Sequence, residues 1–175
     1  GEAFDKGARL LGLGYPGGFR IQEAAKSGNP KAYRLPVAIP NDPLHFSFSG
    51  LKTAVLRLVE KEGPDLDIDD AAASLQSAIV EALAIKTVQA LESLQLKALT
   101  LVGGVAANLA LRERLAFECQ RSGVLFVTPD IELCTDNAAM IAIAGSLRLA
   151  AGERDDCRLE AMPNARIQEL RPIGN

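Results

Sequence analysis

Apolar positions recur at helical spacing from the first residues of the chain. Phe4, Ala8 and Leu11 share one face with Asp5 and Arg9 beside it, which predicts a helix over Gly1–Leu11. Four glycines and a proline in Gly12-Leu-Gly-Tyr-Pro-Gly-Gly18 break that helix. The same period predicts a second helix from about Phe19 to Ser27. Gly28–Pro43 carries four prolines and is expected to be irregular, with a short strand at Val37–Ile39. His45-Phe-Ser-Phe-Ser49 alternates like a strand and runs into a helix over Gly50–Lys61, which Gly63-Pro64 ends. An acidic lead-in, Asp65–Asp70, precedes a long helix over Ala71–Leu94. Asp69 or Asp70 is its expected cap, and Leu75, Ile79, Leu83, Leu91 and Leu94 lie near one face.

Beyond this helix the period changes. Ala98-Leu-Thr-Leu-Val102, closed by Gly103-Gly104, has the pattern of a buried parallel strand. Asn108–Arg121 reads as a helix and Val124–Thr128 as another buried strand. Asp136–Ala150 reads as a helix with Met140, Ile143 and Leu147 inward. Strand, turn, helix, strand at this spacing predicts a right-handed βαβ crossover and an α/β fold. Residues after Gly152 are charged and irregular and read as a loosely held tail.

Composition narrows the classes. The chain of 175 residues suits one domain with a sizeable core. Its net charge of −3 gives no general attraction to nucleic acid, so an RNA contact would need a local patch or a partner subunit. Cys119, Cys134 and Cys157 show no CxxC spacing and fit a reduced, cytoplasmic setting. No uninterrupted apolar run reaches about 18 residues, so no membrane span is expected. The chain opens without an initiator Met and already inside a helical pattern, which reads as a cut through a longer protein.

Several motifs could carry chemistry. In open α/β sheets, ligands bind at the carboxyl ends of strands, and Val102-Gly-Gly-Val-Ala-Ala-Asn108 occupies such a place. The glycines permit close backbone approach, and Asn108 offers a donor and an acceptor. Equally, the glycines could serve only the turn and Asn108 only as a cap; spacing leaves both readings open. Cys134-Thr-Asp-Asn137 sets Asp136 near a helix N-terminus, either as an ionised ligand for a metal or, with Thr135, as a plain cap. Ser49, Gly50 and Lys52 open a helix and could cradle an anion; an exposed lysine at small cost is the alternative. Asp5, read alone, is a surface partner for Arg9. The single histidine, His45, leaves no Ser–His triad to assemble, and the absence of His-Glu-x-x-His excludes a self-contained zinc protease of that class.

Gly1-Glu-Ala-Phe-Asp-Lys6, Tyr15-Pro-Gly-Gly18, Phe46-Ser-Phe-Ser-Gly-Leu-Lys-Thr53, Gly103-Gly-Val-Ala-Ala-Asn108 and Cys134-Thr-Asp-Asn137 together resemble one family. It is the universal tRNA threonylcarbamoyladenosine transferases, formerly called O-sialoglycoprotein endopeptidases or glycoproteases. The resemblance implies a lobe of the RNase H-like fold shared with actin, hexokinase and the heat-shock ATPases, a mixed sheet with flanking helices. Residues 1–151 would form the C-terminal, nucleotide-binding lobe with a helical insertion at about 19–95, and 152–175 an irregular tail. The N-terminal lobe would be missing from this chain. The family enzyme moves a threonylcarbamoyl group from threonylcarbamoyl-adenylate to N6 of the adenosine beside the anticodon of ANN-decoding tRNAs.

By that resemblance Asp5 would hold the ribose hydroxyls of the adenylate, Gly18 would contact it through backbone, and Asn108 would bind it too. Asp136 would be the carboxylate ligand of one iron or zinc ion. The family's other ligands, two histidines of a His-x-x-x-His motif, belong to the other lobe. A paralogous subunit and a small ATPase would be partners of the full protein, through that same lobe. Two positions depart from the family pattern: Ala138 stands where a glycine is usual, and His45 where an acidic residue is usual. The expectation is a transferase fragment inactive alone. The alternatives are a non-catalytic adenine-nucleotide-binding or partner-docking module, the old metal-dependent glycoprotease, and, more remotely, a kinase of the same superfamily, for which no phosphate loop is found.

Overall fold

The computed structural model describes residues 1–37, 45–156, 158 and 160. Residues 38 and 39 of the strand expected at Val37–Ile39, Cys157 and most of the tail lie outside them. The chain divides into two compact units, Gly1–Cys134 and Thr135–Asn175.

The first unit is organised by one helix, α4 (Ile68–Ser93). It is buried on more than one side, because its sequence is apolar nearly all round: Ala71, Ala72, Ala73, Leu75, Ala78, Ile79, Val80, Ala82 and Ala84 are all inside. Its first half meets α1 (Glu2–Leu10), α2 (Gly17–Ala24) and α3 (Ser49–Glu62) in a helical core of Phe4, Ala8, Ile21, Leu51, Val55, Leu75 and Ile79. Its second half, through Val80 and Ala84, packs on Leu111 and Leu115 of α5 (Leu109–Ser122). By length and composition α4 could cross a membrane, but 61% of its apolar stretch is buried inside the fold, which makes it a core helix. Leu94, expected on its inner face, is exposed just past its end.

The acidic lead-in works differently from its sequence reading. Asp67 caps α4, accepting from the Asp70 amide at 3.0 Å. Asp69 and Asp70 lie in the first turn and reach back to the loop before it. Ser27 Oγ donates to Asp69 at 3.0 Å and the Asn29 amide to Asp70 at 2.7 Å. A Cβ on Gly28 would fall 2.0 Å from the Asp69 carbonyl oxygen, so only glycine lets this loop lie against the helix. Tyr33 continues the fastening, its amide donating to Ser74 Oγ at 3.1 Å and its hydroxyl accepting from the Asp67 amide at 3.2 Å.

Strands β1 (Ala98–Thr100) and β2 (Leu125–Val127) pair in parallel, with Leu99 opposite Phe126 and α5 between them in sequence. The βαβ arrangement is as expected, but among the described residues the sheet is two short parallel strands and not mixed. Nor are the strands fully buried: Leu125 and Val127 are exposed, while Leu99 and Phe126 pack on the α4–α5 core. Residues 45–48 form no strand and lead directly into α3. Their alternation records burial without pairing, Phe48 facing the helical core and Phe46 solvent. Helix α2 also starts earlier than its pattern suggests, at Gly17, because Asp5 of α1 takes up the Gly17 amide there.

Across the α4–α5 seam Arg114 pairs with Glu81 at 2.9 Å and with Glu118, which Arg121 also holds at 2.6 Å. The two guanidiniums, Arg114 first, keep the Glu118 carboxyl below the usual carboxylate range.

The second unit contains α6 (Ala138–Ala150), capped by Asn137, whose Oδ1 accepts from the Met140 amide at 3.0 Å. Met140, Ile143 and Leu147, expected inward, are exposed, and no residue of α6 is buried. Its own unit offers no other helix or strand among the described residues, so the apolar pattern has nothing there to cover it. Arg154 returns to the Leu149 carbonyl at 2.9 Å and closes the helix end.

Two predictions follow from this packing. Gly28→Ala and Gly17→Ala force backbone apart and should each cost about 1–3 kcal/mol. Gly18→Ala, with nothing within 4 Å of the new methyl, should stay within about 0.5 kcal/mol. Thermal unfolding of the three variants checks the contrast. A depressed folded pKa at Glu118 stabilises the fold above the unfolded carboxylate range and ceases to do so as pH falls through the folded value. Unfolding free energy measured against pH should therefore fall on its acid limb less steeply in Glu118→Gln than in the parent chain.

Candidate functional site

Asp5 sits in the first turn of α1, and its Oδ1 accepts the Gly17 amide at 2.9 Å. The approach is close enough that a Cβ on Gly17 would fall 2.4 Å from the Asp5 Cα. Asp5 therefore turns to the start of α2 and not to Arg9. Its second oxygen carries no hydrogen bond among the described residues, which leaves an acceptor oxygen at the turn. Gly18, next along α2, has open space around its Cα. The backbone is accessible there.

The strand-to-helix turn is built on Gly103, whose φ of 88° belongs to the region that favours glycine. A 3-10 turn over Gly104–Ala107 follows, and Asn108 caps α5. Asn108 Oδ1 accepts the Leu111 amide at 3.0 Å, and its Nδ2 donates to Gln76 Oε1 on α4 at 2.7 Å. At 7% exposure the side chain is held nearly rigid. The capping role is thus real. One amide hydrogen and one lone pair remain for a ligand.

A second glutamine links the two turns. Gln22 Oε1 accepts the Leu109 amide, the next free donor of α5, at 2.7 Å. Gln22 lies one turn beyond Gly18 on α2, on the same face. Gln22 thus ties α2, whose first residue Gly17 is bound by Asp5, to the first residue of α5 beside Asn108. Sequence reading missed Gln22 and Gln76. The only trace is a long polar side chain on each of two otherwise core-facing helices.

Ser49 and Lys52 line an open cleft of about 490 Å³ with Glu2, Lys6, Gly7 and Phe48. Ser47 and Ser49 hydroxyls lie 3.2 Å apart at its edge. Gly50 is exposed beside it. Lys6 pairs with Glu2 and, with a smaller push from Lys52, holds the Glu2 carboxyl below its usual range. The cleft's lysines thus already face one carboxylate.

Asp136 is exposed and lies outside α6, since the helix begins at Ala138 and Asn137, not Asp136 or Thr135, is the cap. The Asn137 Nδ2 donates to the Thr135 carbonyl at 2.9 Å, completing a tight lead-in. Among the described residues no three His, Cys, Asp or Glu side chains cluster as a metal would require. One carboxylate does not make an iron or zinc site.

The family model for tRNA N6-adenosine threonylcarbamoyltransferase matches residues 1–143. A tRNA N6-adenosine threonylcarbamoyltransferase of Symbiobacterium thermophilum is 50% identical over 93% of this chain and 48% of its own length. One from Magnetococcus marinus is 46% identical over 99% of this chain and 50% of its own. A third, from Variovorax paradoxus, is 50% identical over 87% and 44% respectively. The chain spans about half the length of the curated relatives it matches. With Asp5, Gly18, Asn108 and Asp136 all inside the matched residues, the chain belongs to the tRNA N6-adenosine threonylcarbamoyltransferase family.

Proposed function

We propose that this chain is the adenylate-holding part of an enzyme that transfers a threonylcarbamoyl group from threonylcarbamoyl-adenylate to N6 of the adenosine beside the anticodon of ANN-decoding tRNAs. The observation that supports the reading is the tie of α2, held at Gly17 by Asp5, through Gln22 to Leu109 beside Asn108, which Gln76 holds in turn. The Asp5 oxygen not taken by Gly17 supplies an acceptor for a ribose hydroxyl. Gly18 lets a ligand approach main chain, and Asn108 adds one oriented donor. Fixing the adenylate in this way positions the acyl group for attack by the tRNA amine.

The same reading makes residues 1–151 one lobe of an RNase H-like pair, working in the cytoplasm. The other half of the cleft lies in sequence that this chain does not span. An iron or zinc ion would have Asp136 as one ligand and two histidines from that other half. It would polarise the carbamoyl oxygen when bound. A paralogous subunit and a small ATPase would meet the full protein there as well. The cleft at Ser49, Gly50 and Lys52 is a candidate anion site on the same lobe.

The test is a titration with ADP followed by amide NMR, beside a transfer assay. ADP should bind weakly, in the roughly millimolar range that corresponds to about 4 kcal/mol. Shifts should cluster at Asp5, Gly18 and 103–108. Asp5→Ala and Asn108→Ala should each weaken binding, and His45→Ala should not. Given threonylcarbamoyl-adenylate and tRNA, the chain unaided should form no product. Shifts elsewhere on the surface would refute the pocket, and unaided transfer would refute the division of labour.

A further inference from the structure

We propose that Arg112 is a positioning residue for the adenylate site, locking the Gly103–Asn108 turn to the segment that leaves β2. The proposal rests on the adenylate reading of that turn. Arg112 is four residues past Asn108 on α5, so both lie on one helix face, and its side chain runs back toward the helix start. There Nε donates to the Ala106 carbonyl inside the turn. Nη2 donates to the Pro129 carbonyl at 2.7 Å and reaches Cys134 Sγ at 2.9 Å.

The choice of partners is informative. Arg114, one half-turn on, spends its donors on two carboxylates and works as an ion-pair bridge. Arg112 has no carboxylate among its partners. It spends a planar fork on a carbonyl after β1, a carbonyl after β2 and a buried thiol. Three acceptors on two loops fix the relative placement of those loops at the carboxyl ends of two parallel strands, where α/β sheets take their ligands. A lysine ammonium keeps the charge but cannot span the same three points with a rigid fork. Orientation of the fork, not charge, is therefore the property at stake. Asn108 holds its own cap through Leu111 and Gln76, so Arg112 governs the rest of the turn.

The experiment uses the 175-residue chain, its Arg112→Lys and Arg112→Ala variants, and ADP as the probe. In the unaltered chain the Arg112 Nε–H resonance should move as ADP saturates, a signal that a merely structural arginine would not give. Both variants should weaken ADP about tenfold, the scale for residues that orient a site's contacting groups. Both should also speed site-resolved iodoacetamide labelling of Cys134, while Cys119 stays protected. Restored affinity in Arg112→Lys would overturn the proposal in favour of charge. Unchanged affinity in both variants, or a motionless Nε–H signal during binding, would reduce Arg112 to structural support. If the variants fail to fold, the Nε–H signal of the unaltered chain decides alone. Failure of the adenylate reading looks different: ADP then moves no resonance of the unaltered chain, and both proposals fall together.

Discussion

The first unit depends on α4 being apolar on several sides at once. A surface helix has one stripe to bury and serves one core; α4 serves two. Its first half closes the helical core with α1, α2 and α3, and its second half closes the α5 core above the two strands. The sheet of two three-residue strands could not stand by itself. It is held because Leu99 and Phe126 reach the α4–α5 core. The turns at Gly17 and Asn108 inherit the same support. Gln76 projects from α4 to Asn108, and Gln22 projects from α2, itself packed on α4.

How much of this could be read from the chain depended on how local each cause was. The βαβ unit, the glycine turn and the six α-helices follow from periods and breakers within a few residues of each other. Helix ends were less legible. Asp67, not Asp69 or Asp70, caps α4, because the later pair is drawn to Ser27 and Asn29, some 40 residues back in sequence. Helix α2 begins at Gly17 because of a carboxylate on another helix. The alternation at 45–49 was legible as burial but not as structure, since a period of two does not specify a partner strand. In α6 the apolar face was real and its direction was not, because no neighbouring element in its unit meets it.

The site divides along the same line. Asp5, Gly18, Asn108 and Asp136 could be named from motif resemblance, and the structure adds local partners, Gly17 for Asp5 and Leu111 with Gln76 for Asn108. Asp136 stands exposed ahead of α6, with no cluster of metal-ligating side chains among the described residues. Gln22, Gln76 and Arg112 were invisible beforehand. Each acts on a loop far away in sequence, through a side chain that any solvent-facing helix would also carry.

The small residues of α4 have one more consequence. Ala71, Ala72, Ala73, Ala78, Ala82 and Ala84 are buried yet have no rotamers to freeze, so ordering them incurs no side-chain entropy loss. Each contributes little area, and the helix is held instead by dispersion at short range, with neighbours brought in as near as a methyl group allows. Such a surface is asymmetric toward substitution. Removing a methyl forfeits a few contacts, whereas adding two meets walls on every side. Glycine, the one smaller residue, would loosen the helix interior by about 1 kcal/mol, so these positions of α4 are held at alanine from both sides.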